Sequence, residues 1–257
     1  MGKLKLLEEI FQKSRNKKSP VNNLQDINNL KVLVWTFSKT GTSTLASSFQ
    51  KSIDGTSLYK NVTHSHWEVC WYRYISPELK KTDFSFELLI EFINSKGIHP
   101  LVVQSYRCPV ERVLSELNHL GVEDYTNHAQ SGHLGGEYID YLKKTFTGIW
   151  THNYDKERGF GFHRGDKYDI LYLTCENIDR LSENIKSIKE LKEYHNLTID
   201  KQNVRSGNEK YEKFKDNIAF GRDYINDLYD IHSEPLNFFY IEEKLLEMKE
   251  NMINKYA

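Results

Sequence analysis

Three short stretches of the chain carry residues whose types and spacing could do chemistry. The first is SKTGTSTL, Ser38 to Leu45. Gly41 lets the backbone come close to a ligand, Thr40, Thr42, Ser43 and Thr44 offer hydroxyls beside Ser38, and Lys39 adds a full positive charge. Set between a strand and a helix, such a loop turns helix-start N–H groups toward an anion, and the helix dipole adds attraction. That chemistry suits a nucleotide phosphate. A Walker A loop is excluded, because there the lysine follows the second glycine and here Lys39 precedes Gly41. An ordinary strand-to-helix turn with a solvated lysine stands beside the phosphate reading.

The second stretch runs from Arg107 to Ser115, RCPVERVLS, and has the form RxPxxRxxS. Pro109 suits the first helical position, which puts Arg107 just before the helix and Arg112 and Ser115, three apart, on one face. An arginine fork and a hydroxyl can converge there on one anion. The plainer alternative is a proline-capped surface helix with chance basic residues. The third stretch is THSHWE, in which His64 and His66 lie two apart at the end of a predicted strand and so share a face. Histidine is poised to take a proton near neutral pH. Two structural histidines, or half a metal site with no third ligand at suitable spacing, are the alternatives, and Glu68 is a fallback base.

In this order, each at the end of a predicted strand, the motifs resemble those of the PAPS-dependent sulfotransferase superfamily (PAPS, 3'-phosphoadenosine 5'-phosphosulfate). A strand followed by Pro or Ser, Lys, Thr or Ser, Gly and Thr is similar to that family's 5'-phosphosulfate loop; Ser38 stands where proline is common. The RxPxxRxxS form resembles its 3'-phosphate site, which implies that Arg107 and Ser115 grip that phosphate while Arg112 braces the helix. The His-x-His pair is similar to that of uronyl 2-O-sulfotransferases and capsule-associated relatives. It implies His66 as general base with His64 beside it in the acceptor site, and Lys39 with the loop N–H groups stabilising the leaving phosphate. The implied donor is PAPS with no metal, the implied acceptor a carbohydrate or other hydroxyl. The implied fold is a three-layer α/β/α arrangement around a central parallel sheet, P-loop-like in architecture.

The segment Asn203 to Glu243 resembles the bacterial capsular polysaccharide synthesis branch of that superfamily. Asn208, Lys210 and Tyr211 match it in type, with Glu209 interposed. Arg205 and Lys210 could reach the 3'-phosphate or belong to a solvated charged helix.

The elements that must position these residues follow from hydrophobic periodicity. Lys31 to Phe37 (KVLVWTF) is a nearly continuous apolar run, as in a strand buried on both faces of a parallel sheet. Ser38 to Gln50 passes from loop into helix, and Ser57 to Thr63 predicts a second strand running on into His64 to Trp67, which makes a βαβ unit. Phe84 to Ser95 predicts a helix, Pro100 to Tyr106 a strand, and Pro109 to about His119 a helix. Gly135 to Phe146 predicts another helix. Gly148 to Gly165, rich in Gly and aromatic residues, reads as an irregular loop over a site. Tyr168 to Thr174 predicts a strand. Leu181 to His195, Tyr211 to Ile218, Arg222 to Tyr229 and Glu242 to Tyr256 predict helices. At the N-terminus, Leu4 to Ser14 predicts a short amphipathic helix and the residues through Asn29 a polar surface extension. Strands alternating with helices indicate a doubly wound α/β sheet.

No Pro/Gly/Ser-rich linker divides the 257 residues, so a single domain over 1–257 is expected. The hydrophobic share is 39%, and 16 Tyr, 13 Phe and 4 Trp supply the bulky apolar surface a core needs. A formal net charge of -1 excludes a protein built to coat nucleic acid, so any anion site must be local. Cys70, Cys108 and Cys175 lie far apart with no CxxC spacing, which fits a reducing compartment. No apolar run approaches the ~20 residues of a membrane span and no signal-peptide pattern opens the chain, so a cytoplasmic location is expected. The sequons at Asn61 and Asn196 then read as accidents of composition. The aromatic stretches Trp67 to Tyr74 and Trp150 to Phe162 could stack on sugar rings or complete the core.

Overall fold

The computed structural model describes residues 29–36, 40–55, 61–66, 86–120, 153–201 and 209–257. Ser38, Lys39, Glu68, Arg205 and Asn208 lie outside them, as do the predicted helices at 4–14 and 135–146 and the aromatic stretch 67–74. The chain forms two compact units, one of residues 1–105 with 161–202 and the other of residues 106–160 with 203–257.

The first unit is an α/β layer structure. Among the described residues its sheet has five strands in the order β2-β1-β3-β5-β4. The ranges are Val32–Thr36 (β1), Val62–His66 (β2), Leu101–Tyr106 (β3), Phe160–Arg164 (β4) and Asp169–Thr174 (β5). β1 pairs in parallel with β2 and with β3. The N–H of Asp169 donates to Pro100 O at 3.1 Å, so β5 starts level with β3 and runs alongside it. β1 and β3 are buried along their whole length because they sit inside the sheet and are covered on both faces. Their side chains alternate. Trp35 meets Phe86 of helix α2 (Phe86–Asn94) with ring centroids 5.5 Å apart, while its neighbour Thr36 bonds Thr42 of helix α1 (Thr42–Asp54). Successive residues of a strand point to opposite faces, so the two helices cover opposite sides of the sheet.

Local contacts explain the connections. Gln50 Oε1 accepts from the N–H groups of both Asn61 and Val62 at 3.0 Å, fixing where β2 begins. Asp200 is clamped onto α1: it takes a hydrogen bond from Ser47 Oγ at 2.5 Å and an ion pair from Lys51 at 2.8 Å, and its N–H donates to Ser48 Oγ at 2.8 Å.

Several expectations shift. The second strand is described from Val62, where the Gln50 side chain holds the backbone, and residues 57–60 of its predicted start lie outside the described residues. Within Gly148 to Gly165, residues 160–164 form β4 instead of loop, and it pairs as an edge strand. Its link to β5 is only residues 165–168, too short for a parallel crossover, so the two form an antiparallel hairpin. Gly165 makes this turn possible, since a Cβ there would lie 2.6 Å from Tyr168 O. The stretch predicted as one helix from Leu181 to His195 divides into helix α4 at Leu181–Lys186 and a 3-10 helix at Lys189–Tyr194, and a further 3-10 helix at Cys175–Arg180 precedes it.

The second unit contains helices α3 (Pro109–Leu120), α5 (Glu209–Asp216), α6 (Arg222–Ile231), α7 (Ser233–Phe239) and α8 (Glu242–Tyr256). Pro109 does open its helix and α8 has the predicted bounds; α7 was hidden by Pro235, which a first helical turn tolerates. Its core is aromatic. Tyr106 stacks on Phe239 with centroids 5.1 Å apart, and Phe220 packs against Tyr224 and Tyr256. Two buried polar links run through it, Tyr106 Oη to His232 Nδ1 at 3.0 Å and Cys108 Sγ to Tyr229 Oη at 3.5 Å. Among the described residues, no helix is long and apolar enough to cross a membrane.

Candidate anion site

In the first unit the chain leaves β1, passes outward through α1 to β2, and later returns to β3 on the other side of β1. The order therefore reverses between β1 and β3, and open α/β sheets bind ligands outside the carboxyl ends of strands at such a reversal. The loop leading to Gly41 lies at the carboxyl end of β1. Gly41 adopts a left-handed φ of 83° and stands at the N-cap of α1, and a Cβ added there would collide with Ile178 Cδ1. Glycine is thus required for two reasons, backbone conformation and space.

The hydroxyls divide into scaffold and surface. Thr42 Oγ1 lies 2.5 Å from Thr36 Oγ1, which ties the start of α1 to the last residue of β1. Ser105 Oγ, on β3, donates to Thr40 O at 2.6 Å and lies 3.1 Å from Thr40 Oγ1. Thr40, Thr42 and Thr44 are buried, whereas Ser43 is partly exposed. The first intrahelical bond runs from Leu45 N to Gly41 O at 3.0 Å, so the N–H groups of Thr42, Ser43 and Thr44 belong to the opening turn. No acidic residue sits in that turn to cancel the helix dipole. The arrangement can hold an anion by backbone dipoles and one exposed hydroxyl, with Lys39 outside the described residues.

His64 and His66 lie on β2, within the same sheet. Their Cα partners on β1 are Val34 and Thr36. His66 is level with Thr36 at the carboxyl end of β1, and His64 is two residues further from that end.

Arg107 and Ser115 belong to the second unit. Arg107 precedes α3 and its Nη2 bonds Glu111 Oε2 at 3.1 Å, an i,i+4 ion pair with both side chains about a quarter exposed, 24% and 26%. Ser115 is partly exposed one turn beyond Glu111. Arg112 is nearly fully buried, at 3%, so it packs inside the unit while Arg107 stays accessible. Around Glu111 stand Tyr211 and Lys215 of α5 and Tyr256 of α8. Lys215 pairs with Glu212 at 2.7 Å and lies 5.0 Å over the Tyr211 ring. Burial and the nearby Glu111 carboxylate push the Tyr256 phenol up to about 12, and burial raises Tyr211 as well. Burial lowers the Lys215 ammonium, but Glu212 and Glu111 outweigh it and raise the group overall, so it stays charged. Burial also pushes the Cys108 thiol up, which makes it a poor nucleophile. Lys210, one of the sequence candidates, is exposed.

Sequence reasoning missed Thr36, Ser105, Ile178, Glu111 and Lys215. Only Glu111 carried a signal, its i,i+4 spacing from Arg107. The others meet the motifs across the fold. In comparisons with known proteins, no family model matches the chain and no curated protein matches it significantly.

Proposed function

We propose that the chain is a PAPS-dependent sulfotransferase of P-loop-like architecture, acting on a hydroxyl of a carbohydrate or glycan. The observation that carries this reading is the glycine turn at the carboxyl end of β1, which opens an acid-free helix start at the sheet's reversal point. Its sequence, followed by the Arg107–Ser115 motif after β3, is what distinguishes a sulfuryl donor from ATP.

In the proposed reaction His66 takes the proton of the acceptor hydroxyl, and the oxygen attacks sulfur in line. The S–O bond to the 5'-phosphate breaks, and the phosphate leaves with its charge met by Lys39 and the N–H groups of the loop. Arg107 and Ser115 hold the 3'-phosphate that marks the nucleotide. No metal enters these steps.

Thermal-shift measurement with 3',5'-diphosphoadenosine, AMP and ATP tests the reading, since a ligand bound by the folded state alone raises the melting temperature. The diphosphonucleotide is expected to stabilise the protein most, without Mg²⁺. Stabilisation by ATP that requires Mg²⁺ would instead indicate a small-molecule kinase. His66→Ala should leave nucleotide binding intact and lower transfer by roughly 10²- to 10⁴-fold. Nucleotide binding with no transfer to any hydroxyl acceptor by the unaltered protein would indicate a non-catalytic relative.

A further inference from the structure

Glu111 lies inside the second motif, yet no phosphate-binding role falls to a carboxylate, so its place beside Arg107 needs an explanation. It sits in the first turn of α3, fixed to the helix that Pro109 starts, whereas Arg107 lies on the chain before that helix. A long guanidinium stem on non-helical backbone has considerable rotamer freedom, and losing that entropy opposes its use as a phosphate ligand. The 3.1 Å bond from Nη2 to Glu111 Oε2 removes much of that freedom before any ligand arrives. Only part of the five-donor fork is needed for this bond. The Lys215 ammonium of the same unit lies near enough for its charge to act on the Glu111 carboxylate. The carboxylate thus grips Arg107 from a point fixed on the helix.

We infer that Glu111 is a positioning residue for a phosphate-binding Arg107, presetting the guanidinium for the 3'-phosphate of the nucleotide. This rests on the sulfotransferase reading. A carboxylate so close to an anion site could instead repel the ligand, and the two roles predict opposite signs.

The test is a double-mutant cycle read by isothermal titration with 3',5'-diphosphoadenosine and with AMP, using the full chain as wild type, Glu111→Gln, Arg107→Ala and the double variant. Gln keeps the shape and loses the charge. Glu111→Gln is expected to weaken the diphosphonucleotide about tenfold, to leave AMP nearly unchanged, and to have no further effect once Arg107 is Ala. Glu111→Asp, which keeps the charge on a shorter stem, should recover part of the loss. Tighter diphosphonucleotide binding in Glu111→Gln, no change, an equal loss for AMP, or an effect that persists in the Arg107→Ala background would each overturn the inference while leaving the enzymatic reading in place. If the wild type does not prefer the diphosphonucleotide to AMP, that reading fails and the inference falls with it.

Discussion

The glycine loop of the first unit and the Arg107 region of the second are both candidate anion sites, but they are built from different materials. From Thr40 onward the loop uses uncharged groups. Thr36, Thr40, Thr42 and Ser105 lock the backbone through buried hydroxyl contacts, and Gly41 lies against Ile178 with no space for a side chain. Around Arg107 the polar work is done by ions, Arg107 with Glu111 and Lys215 with Glu212, set on helices whose packing comes from buried tyrosines. In the loop, the groups that shape the site also hold the fold together. Near Arg107 they are largely separate, so charge can be altered there with little cost to folding.

The sharpest way to break this comparison is Gly41→Ala. It forces a left-handed backbone on a residue with a Cβ and drives that atom into Ile178, so a loss of about 3 kcal/mol in unfolding free energy is expected by urea titration. A variant as stable as the wild type would show that the turn can relax and that the loop is not rigid. Ser105→Ala removes the donor to Thr40 O and leaves a buried carbonyl, for a smaller loss of about 1 kcal/mol with a matching loss of nucleotide-induced stabilisation. Stability lost without any change in nucleotide binding would separate the loop's two duties.

The smallest effect is expected in the second unit, at Tyr256→Phe. The Tyr256 hydroxyl is buried and makes no hydrogen bond among the described residues, so removing it should leave stability unchanged or raise it by about 1 kcal/mol. Its sign with pH is also defined. The folded protein holds the phenolic proton more tightly than the unfolded chain, so the stability linked to it is fully present below about pH 10 and is lost as pH rises toward 12. Urea titrations across that window should show a shallower alkaline decline for the Phe variant. An unchanged decline would mean that other buried phenols, such as Tyr229, dominate it.

Much of this architecture was legible in the residues because it depends on local patterning. The run from Val32 to Trp35 announces a strand buried on both faces, Pro109 announces the start of a helix, and Gly41 between hydroxyl residues announces a strand-to-helix turn. Each is a short-range consequence of apolar periodicity or backbone freedom. β4 was not legible, since an edge strand with three of its five residues outside the buried core lacks the continuous apolar run of a central one. Tertiary structure alone decided that Ser105 reaches Thr40 and that Ile178 closes over Gly41, contacts spanning 65 and more than 100 residues of chain. It also decided that Asp200 anchors α1. Nothing in local sequence encodes such pairs, because they arise from the order in which strands enter the sheet, and that order is set by the packing of the whole unit.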